Sequence, residues 1–131
     1  MIKTKSLLTA LALTAFVAPA FADDTVSATS KTKVEMDSDG NYDRKTTSEQ
    51  TDVLGTTTES KVKVKVKHDR HGNVTKSVDS KNVVDPKGLL NKTTTKSSTS
   101  EEHNVDGSTE YHNKKKINGK TVVDENIETG Q

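Results

Sequence analysis

Lys61-Val62-Lys63-Val64-Lys65-Val66-Lys67-His68-Asp69-Arg70-His71-Gly72-Asn73-Val74 decides the fold. Strict alternation of Lys with Val is the period of an extended strand, whose side chains point to opposite sides of a sheet. The strand then runs into Asp-x-x-Gly. An acceptor side chain at the first position and a glycine at the fourth are what a type I turn closed by a left-handed residue requires, and this is the three-residue hairpin loop.

The same signal recurs along the chain. Asp37-Ser38-Asp39-Gly40, Asp52-Val53-Leu54-Gly55, Asp85-Pro86-Lys87-Gly88, Asn104-Val105-Asp106-Gly107 and Lys116-Ile117-Asn118-Gly119 repeat it at nearly uniform intervals. Pro86 fits the second turn position, where φ near −65° is needed. The runs between turns are rich in Thr, Val, Ser and Lys, and Thr and Val favour strands. Seven strands are predicted, at 25–36, 41–51, 56–68, 73–84, 89–103, 108–115 and 120–128. The fold class is all-β, a seven-strand antiparallel meander forming an open twisted sheet or a small barrel. Glycines 40, 72 and 107 fall at one end of it and glycines 55, 88 and 119 at the other.

A register follows from the turns. If each loop pairs residues whose numbers sum to an even value, even-numbered residues share one face. Between Asp23 and Ser100 the even positions hold Val26, Ala28, Val34, Met36, Tyr42, Leu54, Val62, Val64, Val66, Val74, Val78, Val84 and Leu90. The odd positions hold only Val53, Val83 and Leu89. After Ser100 the agreement decays, with Tyr111, Val123 and Ile127 on odd positions, so the last two strands are expected to slip, bend away or fray.

Upstream of the strands, Lys3 and Lys5 precede an uncharged run from Leu7 to Val17 and then Ala18-Pro19-Ala20-Phe21-Ala22. This is the layout of a helical, cleavable signal peptide over residues 1–22, leaving a single β-meander domain over 23–131. The apolar run is too short to span a bilayer, and no later stretch is apolar enough for a membrane span as a helix. A periplasmic or secreted location is expected. Without Lys3 and Lys5 the chain keeps eighteen basic against nineteen acidic residues, a net charge of −1, which favours no particular partner. It has no cysteine, hence no disulfide framework and no thiol for lipid attachment.

Candidate sites follow from the register. Met36, Tyr42 and Val66 form one cross-strand row, Val34, Val64 and Val78 the next, and Val62 lies beside Thr46. These seven apolar residues make the expected interaction surface, to be covered by the protein itself or by another envelope protein. Lys61, Lys63, Lys65 and Lys67 project from the other face, as a solvated stripe guarding against strand aggregation. Nucleic acid is disfavoured by the near-zero charge and by Tyr42 and Tyr111 being the only aromatics after the leader.

Candidate metal donors are Asp37, Asp39, Asp43, His68 and His71. The Glu35 to Asp43 stretch resembles an EF-hand calcium loop in its alternating oxygen side chains and its glycine at the sixth position, but Thr46 stands where the bidentate Glu belongs. His68 and His112 share a face in the expected register, about 14 Å apart, and His103 faces the other way. No cofactor is implied. Catalysis is not expected either: no nucleophile elbow appears, no cysteine is present, and the paired acids lack the apolar pocket that shifts a carboxyl pKa. The function expected is a non-enzymatic structural or self-associating role, with a periplasmic metal- or small-ligand-binding module as the alternative.

Overall fold

A computed structural model describes residues 25–88 and 90–130. The leader expected at residues 1–22 lies outside the described residues. Seven strands follow one another: β1 (Thr25–Met36), β2 (Tyr42–Asp52), β3 (Thr57–His68), β4 (Val74–Asp85), β5 (Thr93–His103), β6 (Thr109–Ile117) and β7 (Lys120–Thr129). They form one antiparallel sheet in chain order, with β1 and β7 as its two edges. Of the two architectures expected, the open sheet is the one formed.

The hairpin chemistry is as the sequence dictates. All six turn glycines have φ between 80° and 93°. In the first turn Asp37 N donates to Asn41 O and Gly40 N to Asp37 O, and the turns at Asp52, Asp69 and Asn104 repeat this pair of bonds. Five residues then separate the last paired residues, as between Met36 and Tyr42. An odd number of intervening residues conserves the parity of the faces, so even residues stay on one side from β1 through β4.

The fourth and sixth connections depart from this expectation. Strand β5 starts at Thr93, not at residue 89, and Val84 pairs with Thr93 across eight intervening residues. An even number inverts the phase. The strand resumes where the β-branched run Thr93-Thr94-Thr95 begins, whereas Leu90-Asn91-Lys92 stays in the loop, its neck closed by Lys92 against Asp85 at 3.6 Å. The sixth turn is a two-residue Asn118-Gly119 loop between Ile117 and Lys120. Asn118 at φ 49° and Gly119 at φ 83° are the two left-handed residues of a type I′ turn, and not a type I turn led by Lys116. This turn too has the wrong parity, and an irregularity between Lys115 and Lys116 on the β6–β7 ladder restores it, so Val123 pairs with Lys115.

The decay of the pattern after Ser100 therefore comes from shifted register and not from fraying: the numbering is displaced by one at β5, and the β6–β7 ladder skips Val122. Val78 faces Thr99, and Thr99 faces Asn113, so odd residues of β5 and β6 share the side of the even residues of β1–β4. Tyr111 and Ile127, directly opposite each other, return to the valine side. Burial is concentrated on the central strands. Val64 and Val66 are each 3% exposed on the valine face, and Val83 is buried on the other.

Candidate functional site

The first candidate is the turn cluster. Asp37 Oδ1 accepts from the N–H groups of Asp39 (3.0 Å) and Asn41 (2.9 Å), and Oδ2 accepts from the Asn41 side chain (2.8 Å). Asp69 does the same with His71 N, Asn73 N and the Asn73 amide. Both carboxyls sit below their ordinary range. At Asp37 the Asn41 side-chain bond is the main cause. At Asp69 loss of solvent is the largest influence and opposes ionisation, but the bonds from Asn73 and His71 together outweigh it. These acids cap their own turns, using the oxygens a metal would need.

The remaining donors do not converge on them. Asp43 lies on the lysine face with Lys63 and Lys65 at 3.8 and 3.7 Å. His68 lies on the opposite face, its N–H bonded to Asn41 Oδ1 at 2.7 Å. Asp39 and His71 are exposed in separate turns. Among the described residues no three His, Asp or Glu side chains gather as a metal would need. The inverted phase also corrects the histidine geometry: His68, Val74 and His103 form the shared row, while His112 faces the lysine side. His103 is held by Glu101 at 3.0 Å and by Thr109 at 3.2 Å. His68 Nδ1 is buried without a partner.

The valine face is the second candidate. Its rows are as expected: Met36, Tyr42 and Val66 in line, then Val34, Arg44, Val64 and Val78, with Val62 opposite Thr46. The seven residues are not equally available. Val64 and Val66 are buried by their neighbours on both sides, Tyr42, Val62 and Val78 are half-buried, and Val34 and Met36 on the edge strand are 53% and 67% exposed. Val26, further along β1, is also exposed. Strand β5 brings only Thr, Ser, Glu101 and His103 to this face, so the valine patch is separated from the pair of Tyr111 and Ile127, and the row of Asn113 and Glu125 in turn separates that pair from Val123.

The lysine face holds what the sequence reading missed. The inverted phase turns the even residues of β5 and β6 toward it, and Lys61, Lys81, Lys96 and Lys116 fall into one unbroken cross-strand row. Under the expected parity Lys96 falls on the valine side, and Lys116 heads the sixth turn, outside the strand expected at 108–115. The only signal able to reveal the row is the even-length connection at 85–92, since Thr and Ser dominate both sides of β5.

Comparisons with known protein families, with curated proteins and with solved structures find no match to this chain. No helix among the described residues is long and apolar enough to cross a membrane.

Proposed function

We propose that the protein is an exported, non-enzymatic β-sheet protein of the envelope or extracellular space that acts by association through its edge strand β1. The export half of this reading rests on the leader pattern of residues 1–22. The association half rests on one observation: β1 is a twelve-residue edge strand bearing the exposed side chains of Val26, Val34 and Met36. An exposed edge strand offers its unpaired N–H and C=O groups to another chain, and from Ser27 to Met36 β1 pairs with β2 without interruption, the one irregularity lying between Thr25 and Ser27.

Strand order favours a second copy joined edge to edge as the partner. With seven strands in antiparallel order, β1 and β7 run in the same direction, so head-to-tail addition of copies would join them in parallel. A two-fold axis joins β1 to β1 in the antiparallel sense that the rest of the sheet uses. With Ser30 on the axis, Val26 lies opposite the partner's Val34, Lys31 opposite the partner's Thr29 and Lys33 opposite the partner's Ser27. No like charges meet. The other edge carries Asp124, Glu125 and Glu128 against Lys120 alone, which disfavours the same operation there.

Sedimentation over a concentration series tests the reading. The expected result is a monomer–dimer equilibrium that shifts to monomer in the Val34→Lys, Met36→Lys double variant, whose sites are exposed enough to leave the fold intact. A strict monomer at high concentration would remove the proposal.

A further inference from the structure

The row of Lys61, Lys81, Lys96 and Lys116 is costly as pure architecture. Like charges directly opposite on neighbouring strands destabilise a sheet, and here three such pairs follow one another. Lysines that guard against aggregation belong on edge strands, but this row occupies β3 to β6. Lys63 and Lys114 flank it, and together the six line an open groove of about 420 Å³. The two flanking lysines are neutralised in part, Lys63 by Asp43 at 3.8 Å and Lys114 by Asp124 at 2.9 Å. No ion pair among the described residues engages the four lysines of the row, and Lys61, Lys81 and Lys96 are exposed. The single acid lining the groove, Asp79, stands in the adjoining row between Lys63 and Ser98 and accepts from the Ser98 hydroxyl at 2.6 Å.

We propose that this groove binds a linear oligophosphate lying across strands β3 to β6. Four ammonium groups at the inter-strand spacing of about 4.8 Å make a line of charge roughly 14 Å long. On the same face Glu49 and Glu59 occupy the adjoining row toward one end of the strands, while toward the other end the next rows hold Lys63, Asp79, Ser98 and Lys114, then Lys65, Ser77, Ser100 and His112. Along β3 an anionic chain meets Glu59 on one side of Lys61 and, on the other, Lys63 and Lys65, which already share Asp43 at 3.8 and 3.7 Å; across the strands it meets four lysines that no ion pair among the described residues engages. Lysine binds phosphate as a point charge and imposes no planar geometry, so charge density and linearity are what the groove reads. Both Tyr42 and Tyr111 are on the opposite face, so no base-stacking platform accompanies the charge.

Short-chain inorganic polyphosphate is the probe, with binding followed by titration at several salt concentrations. Four contacts predict a log–log salt slope of about −3, or roughly 50-fold weaker binding between about 50 and 200 mM salt. Lys81→Gln with Lys96→Gln should weaken binding more than about tenfold while raising the melting temperature of the free protein, because repulsion along the row is relieved. Loss of binding in a more stable variant cannot come from misfolding. Lys115→Gln, on the valine face, should bind as the parent does. The proposal falls if polyphosphate does not bind at low salt, or if the double variant binds equally well. It also falls if single-stranded DNA of equal phosphate number binds more tightly, which would make nucleic acid the partner.

Discussion

Strands β1–β4 and strands β5–β7 are built with related turns and similar Thr, Ser and Lys content, yet all four buried side chains among the described residues, Ser48, Val64, Val66 and Val83, lie in the first group. For Val64 and Val66 the difference comes from contiguity, whereas Val83 lies between Glu59 and Thr94 on the other face. On β3 the apolar residues follow one another at every second position and meet Tyr42 on one side and Val78 on the other. In a single sheet a side chain escapes water only when neighbours on both flanking strands and along its own strand are there to cover it. Tyr111 and Ile127 have each other but face polar β5, and Ile127 stays 52% exposed. An open sheet is thus able to form a local core where valines are adjacent, and fails to form one where the same kinds of residue are isolated.

The largest test of that contrast is truncation. Val64→Ala is expected to cost about 2 kcal/mol, because a buried aliphatic side chain loses its packing, while Ile127→Ala, which removes more carbon, should cost less than about 1 kcal/mol. Chemical denaturation measures both, and equal losses would show that the two groups of strands are equally packed.

An intermediate effect is expected at the turns. Gly72→Ala places a Cβ 3.1 Å from Val105 Cγ1 at φ +93°, and Gly88→Ala meets nothing within 4 Å at φ +88°. Both incur the left-handed penalty of about 1 kcal/mol, and the contact should make Gly72→Ala the more damaging by some tenths. Thermal melts that reverse this order would show the Gly72 and Gly107 loops to be independent, although Asn73 Oδ1 accepts the Val105 N–H at 3.0 Å and ties them together.

The smallest effect is acid response. Asp37 and Asp69 in the first group and Asp106 and Asp124 in the second all titrate below their ordinary value. At Asp124 the Lys114 hydrogen bond is the leading cause. A depressed folded-state pKa means that the unfolded chain binds more protons, so the stabilisation is present above about pH 4 and is lost as pH falls further. Melting temperature should therefore drop on acidification. Asp37→Asn and Asp69→Asn should flatten that drop, and an unchanged profile in the double variant would dissociate these acids from turn stability.

Much of this molecule is legible in its sequence because its local signals agree. Asp or Asn followed by a glycine three residues later marks four hairpins, and the Lys61–His68 alternation marks a strand and its faces. The phase inversion is not legible for a physical reason. From Thr93 to Ser100 the residues are Thr, Ser and a single Lys, with no apolar side chain to say which side is which. A one-residue displacement there leaves the local pattern unchanged and reassigns everything after it. The valine rows of β1–β4 could be read in full, whereas the lysine row could not, because two of its four members lie beyond the displacement. The turn acids were readable as caps from their positions, and their carboxylate bonds bear out that local role.

Connections of five residues leave the sides of the sheet where they were. A chain using them can gain or lose whole hairpins without any surface residue needing to change its chemistry, and the only lengths that disturb this are those like the stretch from Asp85 to Lys92. Growth by duplication is cheap in such a design, and a single inserted or deleted amino acid at that one loop would turn the last third of the protein inside out.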